Sequence, residues 1–147
     1  MPAPVQIRTI PRDESARVLH IWEQAVRSTH HFLTPADIDF FRPLIVDGLF
    51  GLDHLLGAYR ADVLVGFVGT ADGTMEALFI DPALHRHGIG TALAHHAMTH
   101  LGVTKVDVNE QNPDALHFYQ ALGFMVVARS PLDSTGKPFP ILHLRLS

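Results

Sequence analysis

The chain contains no cysteine. That excludes disulfides, a thiol nucleophile and thiolate metal sites, and it suits a reducing, cytoplasmic setting. No apolar run approaches the ~20 residues a membrane-crossing helix needs, and Met1-Pro2-Ala3-Pro4-Val5-Gln6 lacks the basic-then-apolar order of a secretory signal. A membrane partner is therefore not expected. Cationic excess is missing too: 11 Lys and Arg stand against 15 Asp and Glu, for a net charge of −4. This argues against duplex nucleic acid as a partner and allows a cationic one. No repeat, low-complexity tract or long linker divides the 147 residues, so one domain over residues 1–147 is expected, long enough to bury a full core. No Gly-Lys-Ser/Thr follows a glycine turn, which removes the nucleoside-triphosphate P-loop.

What the chain does have is a strand, a basic turn and two glycines opening a helix: Leu78-Phe79-Ile80-Asp81-Pro82-Ala83-Leu84-His85-Arg86-His87-Gly88-Ile89-Gly90-Thr91. A helix start carries free N–H groups and the positive end of the helix dipole, so it can hold a phosphate. Glycine removes the side chain that would keep a phosphate off the backbone, and His85, Arg86 and His87 add donors. A phosphate-bearing ligand is expected here.

The remaining pattern alternates strands with helices. Val5–Ile10 suits a first strand, and Asp13 is placed to cap a helix to about Ser28, with Val18, Trp22, Ala25 and Val26 at helical spacing. Thr34-Pro35 with Asp37 reads as a capping box with proline at the first helical position, for a helix ending near Gly48. Strands are expected at His54–Arg60, Val63–Thr70 and Met75–Asp81, with turns at Ala61-Asp62 and Asp72-Gly73. The glycine-opened helix runs to Leu101 and stops at Gly102. A strand follows at Val103–Glu110. Asn112-Pro113 then starts a helix with Ala115, Phe118, Tyr119 and Leu122 on one face, ended by Gly123. Phe124–Arg129 and Ile141–Leu146 close the chain as strands around a turn at Ser134–Pro138. Strands with inserted helices give an α/β or α+β sheet covered by helices.

Two of these segments together resemble the GNAT N-acetyltransferases. That family carries a strand ending in Asp-Pro, then Gln/Arg-x-x-Gly-x-Gly/Ala, and downstream Asn-x-x-Ala-x-x-Phe-Tyr-x-x-x-Gly-Phe. Here they stand as Leu78–Gly90 and Asn112-Pro113-Asp114-Ala115-Leu116-His117-Phe118-Tyr119-Gln120-Ala121-Leu122-Gly123-Phe124. Ile21-Trp22, Thr29-His30-His31-Phe32-Leu33, Asn109-Glu110-Gln111-Asn112 and Gly136-Lys137-Pro138 extend the likeness to small bacterial members over nearly the whole chain. One position departs: the family's Gln/Arg falls on His85, followed by Arg86 where glycine is common.

The resemblance implies a mixed, mostly antiparallel sheet of about six to seven strands, splayed in the middle and flanked by about four helices. It implies acetyl transfer from acetyl-CoA to a primary amine, of a small molecule or a peptide, through a tetrahedral intermediate. The pantetheine arm would pair with the backbone of Leu78, Phe79 and Ile80, one of whose N–H groups faces the oxyanion. His85, Arg86, His87, Gly88, Ile89, Gly90 and Thr91 would wrap the pyrophosphate, and Asn112 would lie against the arm. Tyr119 is implied as general acid, against the plainer reading that it packs with Phe118 and Leu122. Glu76 is the first choice of base and Asp107 the second, against both being ordinary strand residues. Trp22, His30, His31 and Phe32 border the region of the acceptor pocket, where packing is the alternative. Family members occur as monomers or homodimers. A non-catalytic acyl-CoA sensor is the alternative function.

Two rival readings are weaker. A Rossmann dinucleotide turn would need glycine at Leu93 and a shorter link from the strand to Gly88. His96 and His100 share a helix face, but no Glu follows His96 and no third ligand stands out, so no metal is expected.

Overall fold

The computed structural model describes residues 5–29, 32–84 and 88–147. Its first strand, β1 (Gln6–Thr9), pairs antiparallel with β2 (His54–Arg60), and β2, β3 (Val63–Ala71) and β4 (Thr74–Ile80) follow as a meander. The turns between them are short because Ala61 and Asp62 (φ 51° and 63°), then Asp72 and Gly73 (φ 51° and 74°), take positive φ in succession. Two such residues give the hairpin twist that matches paired strands. β5 (Lys105–Asn109), β6 (Phe124–Ser130) and β7 (Ile141–Leu146) complete a seven-stranded sheet in the order β1-β2-β3-β4-β5-β7-β6. Every neighbouring pair is antiparallel except β4 and β5. The mixed, mostly antiparallel sheet expected from the sequence is present.

Among the described residues four α-helices cover the sheet: α1 (Ser15–Thr29), α2 (Pro35–Phe50), α3 (Ile89–His100) and α4 (Pro113–Ala121). Each face has its own core, as strand alternation requires. Tyr59, Phe67 and Ala77 pack with Val18, Ile21 and Trp22 of α1 and Ile38 and Leu49 of α2. Their strand neighbours Ala58 and Val68 belong to a second core with Leu93, Ala94 and Ala97 of α3 and Tyr119 of α4.

Helix starts follow local chemistry. Thr34 Oγ1 accepts from the Asp37 amide at 3.1 Å while Asp37 Oδ2 accepts from the Thr34 amide at 2.9 Å, the reciprocal capping box. Asn112 Oδ1 accepts from the Ala115 amide at 3.3 Å, and Pro113 follows. The Asp13 cap is a correction: Asp13 lies within a 3₁₀ turn, Arg12–Glu14, and α1 begins at Ser15. That turn uses the Glu14 amide to Pro11 carbonyl bond at 3.0 Å, so the chain tightens before it winds into α1. α2 continues through Pro43 and past Gly48 to Phe50.

Candidate active site

The site begins with an interruption of the sheet. Gly69 pairs with Ala77 and Thr70 with Met75, which leaves Glu76 as an extra residue on β4 without a β3 partner. Such a bulge bends its strand and turns a side chain out of alternation. β4 and β5 pair only at Thr74–Lys105 and Met75–Val106. Beyond that point β5 keeps its register with β7 through Asn109–Ile141, while β4 stays with β3 through Ile80–Gly66. The two strands therefore diverge. From Ala77 onward the β5-facing edge of β4 carries main-chain groups with no strand neighbour, the kind of edge an extended amide ligand can pair with.

Two adjoining cavities occupy the gap. The larger, about 350 Å³, is lined by Leu78, Phe79 and Ile80 of β4, Gly88, Ile89, Gly90 and Thr91 at the start of α3, and Ala25, Ser28 and Thr29 at the end of α1. The smaller, about 100 Å³, lies between Glu76 of β4 and Asp107 and Asn109 of β5. Leu78, Phe79, Asn112, Ala115 and Tyr119 line both, so they form one continuous cleft. The wall of the larger cavity is mostly apolar carbon, suited to a long, thin ligand whose polar groups meet backbone.

Gly88 makes the far end of the cleft possible. It caps α3 at φ 77°, a region other residues enter only with strain, and a Cβ there would meet nothing within 4 Å. A Cβ on Gly90 would sit 3.7 Å from Ile80 Cγ1 and 3.9 Å from Phe118 Cζ, ordinary contact. Neither glycine is needed to fit the protein's own packing. The open space at Gly88 lies at the α3 start, where an anion is favoured.

Tyr119 stands where the two cavities meet. Its ring packs edge-on against Phe118 and Phe124, with centroids 5.1 and 6.0 Å apart. Its hydroxyl has no hydrogen-bond partner among the described residues, and burial pushes its pKa above the ordinary phenol value. The other tyrosine differs. Tyr59 donates to Glu14 Oε2 at 2.8 Å, and its pKa is pushed up to about 12, by burial first and then by that glutamate. One tyrosine is tied into the structure; the other lines the cleft and stays protonated at neutral pH.

Glu76 also has no hydrogen-bond partner among the described residues. Its pKa is raised, by burial first and then by the charges of Asp107 and Asp72. Both changes make it a stronger base. Asp107 is differently placed, because its Oδ1 meets His143 Nδ1 at 2.6 Å.

The other expected site residues divide. Trp22 is 4% exposed in the core under α1 and α2 and lines neither cavity. There it packs with Val18 and Val26, the packing alternative of the sequence reading. Phe32 packs on Phe139 of the β6–β7 loop, with centroids 5.6 Å apart, and Phe139 reaches Phe41 of α2 at 6.3 Å. His30, His31, His85, Arg86 and His87 lie outside the described residues. His96 and His100 stack at 4.7 Å, and burial followed by the His100 charge lowers the pKa of His96. No group of three metal-binding side chains occurs among the described residues.

Sequence reasoning missed the bulge at Glu76, the α1 wall at Ala25, Ser28 and Thr29, and the partners of Asp107. Register and strand order create all three, and no local motif marks them.

Comparison with known proteins agrees with this geometry. A family model described as an acetyltransferase (GNAT) domain matches residues 48–140. The peptidyl-lysine N-acetyltransferase YjaB of Salmonella typhimurium is 37% identical over 95% of this chain and 97% of its own length. Its Escherichia coli counterpart is 34% identical over 95% of each. The solution structure of apo-form E. coli YjaB superposes with a TM-score of 0.87 at 35% identity, covering 96% of both chains. With the diverging β4 and β5, the glycine-opened α3 and the capped α4 in place, the chain belongs to the GNAT acetyltransferase family.

Proposed function

We propose that this acetyltransferase moves the acetyl group of acetyl-CoA to the side-chain amine of lysine in a peptide or protein, with Tyr119 as general acid and Glu76 as general base. The observation that carries the reading is Tyr119, which lines both cavities of the cleft and whose hydroxyl has no partner among the described residues. The named activity of the Salmonella and E. coli relatives supports the lysine acceptor. Glu76 and Asp107 beside one another, in a chain of net charge −4, also suit a cationic amine.

Bound acetyl-CoA supplies a thioester carbonyl and a thiolate leaving group. The open edge of β4 at Leu78, Phe79 and Ile80 pairs with the amides of the pantetheine arm, and one N–H there meets the developing oxyanion. The amides of Gly88–Thr91, with His85, Arg86 and His87 next to them in sequence, take the pyrophosphate. Asn112 lies against the arm where α4 starts. Glu76 takes one proton from the lysine ammonium, whose ordinary pKa is about 10.4, and the freed amine attacks the thioester carbonyl. As the C–S bond breaks Tyr119 gives its proton to the sulfur, and the second proton shed by the new amide nitrogen restores the phenol.

Incubating the protein with acetyl-CoA and lysine-containing peptides tests the reading. Free CoA is expected to appear in step with acetyl-lysine, followed by mass spectrometry. Turnover of small polyamines with none of peptides would overturn the acceptor, and no turnover with any amine would overturn the reaction.

Gly90→Ala is a control for this reading. Its Cβ makes only ordinary contacts with Ile80 and Phe118, alanine inside a helix is favoured over glycine by up to about 1 kcal/mol, and the family motif takes either residue here. The variant is expected to melt no lower than the native protein and to bind acetyl-CoA with unchanged affinity, read by a thermal melt and calorimetric titration.

A further inference from the structure

Three side chains from three adjacent strands form an unbroken hydrogen-bonded chain. Asp107 of β5 sits directly across from His143 of β7 in the sheet register, and Asp107 Oδ1 lies 2.6 Å from His143 Nδ1. The other ring nitrogen, Nε2, lies 2.7 Å from Ser130 Oγ at the end of β6. Asp107 lines the smaller cavity opposite Glu76, so one end of the chain opens on the cleft.

The chemistry of the carboxylate fixes one hydrogen. It only accepts, so the hydrogen of the short Asp107 contact belongs to Nδ1. In the Nδ1–H tautomer Nε2 accepts, and Ser130 donates to it. An orienting hydroxyl, a ring in one tautomer and a carboxylate receiving its N–H are the parts that fix a functional group in place. At a half-exposed sheet surface such a pair adds little to stability, so its geometry is better understood through what Asp107 faces.

We propose that His143 is a positioning residue for the acceptor: its Nδ1–H, with the ring steadied by Ser130 at Nε2, holds Asp107 Oδ1 so that Oδ2 receives the lysine ammonium beside Glu76. This rests on the lysine-acetyltransferase reading and divides labour between the two carboxylates. Asp107, with one oxygen already bonded, is the fixed charge that anchors the cation. Glu76, without a partner, is left to take the proton. Its raised pKa agrees with that division, since two neighbouring carboxylates differ in role when their surroundings differ. Neither His143 nor Ser130 belongs to the two segments that carry the family resemblance.

The test is kinetic and spectroscopic. His143→Leu is expected to raise KM for the lysine peptide about tenfold, the scale of one charge-assisted hydrogen bond, with KM for acetyl-CoA unchanged. His143→Asn, whose amide nitrogen can stand where Nδ1 stood, is expected to restore most of the loss. The decisive arm is the pair: in an Asp107→Asn background, His143→Leu should cost nothing further, because it acts only through Asp107. Full additivity, or an equal rise in KM for acetyl-CoA, would overturn the proposal. Nitrogen-15 NMR of the native protein adds a readout independent of turnover. His143 should show the Nδ1–H tautomer at neutral pH, keep it in Ser130→Ala and lose that preference in Asp107→Ala. An Nε2–H tautomer in the native protein also overturns it. If no amine is acetylated, the lysine reading fails while the NMR arm still decides the hydrogen-bonded chain.

Discussion

Tyr119→Phe is expected to lower kcat at least tenfold while leaving the fold and acetyl-CoA affinity nearly unchanged. The substitution removes one oxygen and keeps the ring that packs on Phe118 and Phe124. No hydrogen bond is lost with it among the described residues, so the melting temperature should hold. The rate is another matter. Burial keeps the phenol protonated, and a buried, protonated hydroxyl is a donor waiting for an anion. A phenol is the weaker acid by roughly 1.5 pKa units in water, and burial weakens Tyr119 further, so the donation is driven by a buried thiolate that is itself disfavoured. A tenfold loss corresponds to about 1.4 kcal/mol of transition-state stabilisation. Tyr59→Phe is the matched control. It breaks the bond to Glu14, should cost about 1 kcal/mol of stability, and should leave kcat alone. Steady-state CoA release and thermal melts on both variants make the comparison. Unchanged kcat in Tyr119→Phe would reduce the residue to packing.

The halves of this site differ in how far the sequence announces them. The strand, turn and helix start at Leu78–Thr91 and the cap of α4 at Asn112-Pro113 are legible because they are local. Their signals are apolar alternation, glycine where backbone must stay open, and an oxygen placed to bond an amide three residues on. What lies between them is not local. The parallel contact of β4 with β5 stops after Met75–Val106 because a bulge at Glu76 redirects one strand while β7 holds the other. The insertion of β7 between β5 and β6 puts His143 beside Asp107, 36 residues away in sequence. Pairings of that range depend on the whole sheet and leave no spacing to find. Trp22 shows the limit of a local pattern. Helical periodicity identifies an apolar face without saying whether core or cleft lies beyond it.

Glu76→Gln is the change that most sharply separates chemistry from structure, because the two effects run in opposite directions. A raised pKa means that Glu76 holds a proton more tightly than a free carboxylate, and as a base it must first be empty. Turnover should therefore climb with pH through a midpoint above the ordinary carboxylate value of 4.5 and level off beyond it. Gln can neither take the proton nor titrate, so kcat/KM should fall about a hundredfold and that rising limb should vanish. Stability follows the reverse sign. A carboxyl whose pKa is raised by folding stabilises the fold while protonated, below its unfolded pKa, and that contribution is lost as pH rises through the folded value. At neutral pH the ionised group sits against Asp107 and Asp72, and the neutral amide removes that repulsion. Glu76→Gln is thus expected to melt at the same temperature as the native protein or higher. A pH–rate profile and a melt at pH 7 suffice. Should the rising limb survive in Glu76→Gln and disappear in Asp107→Asn, the base is Asp107. In that case the carboxylate held by His143 carries the chemistry, and the one freed by the bulge serves only to draw the amine in.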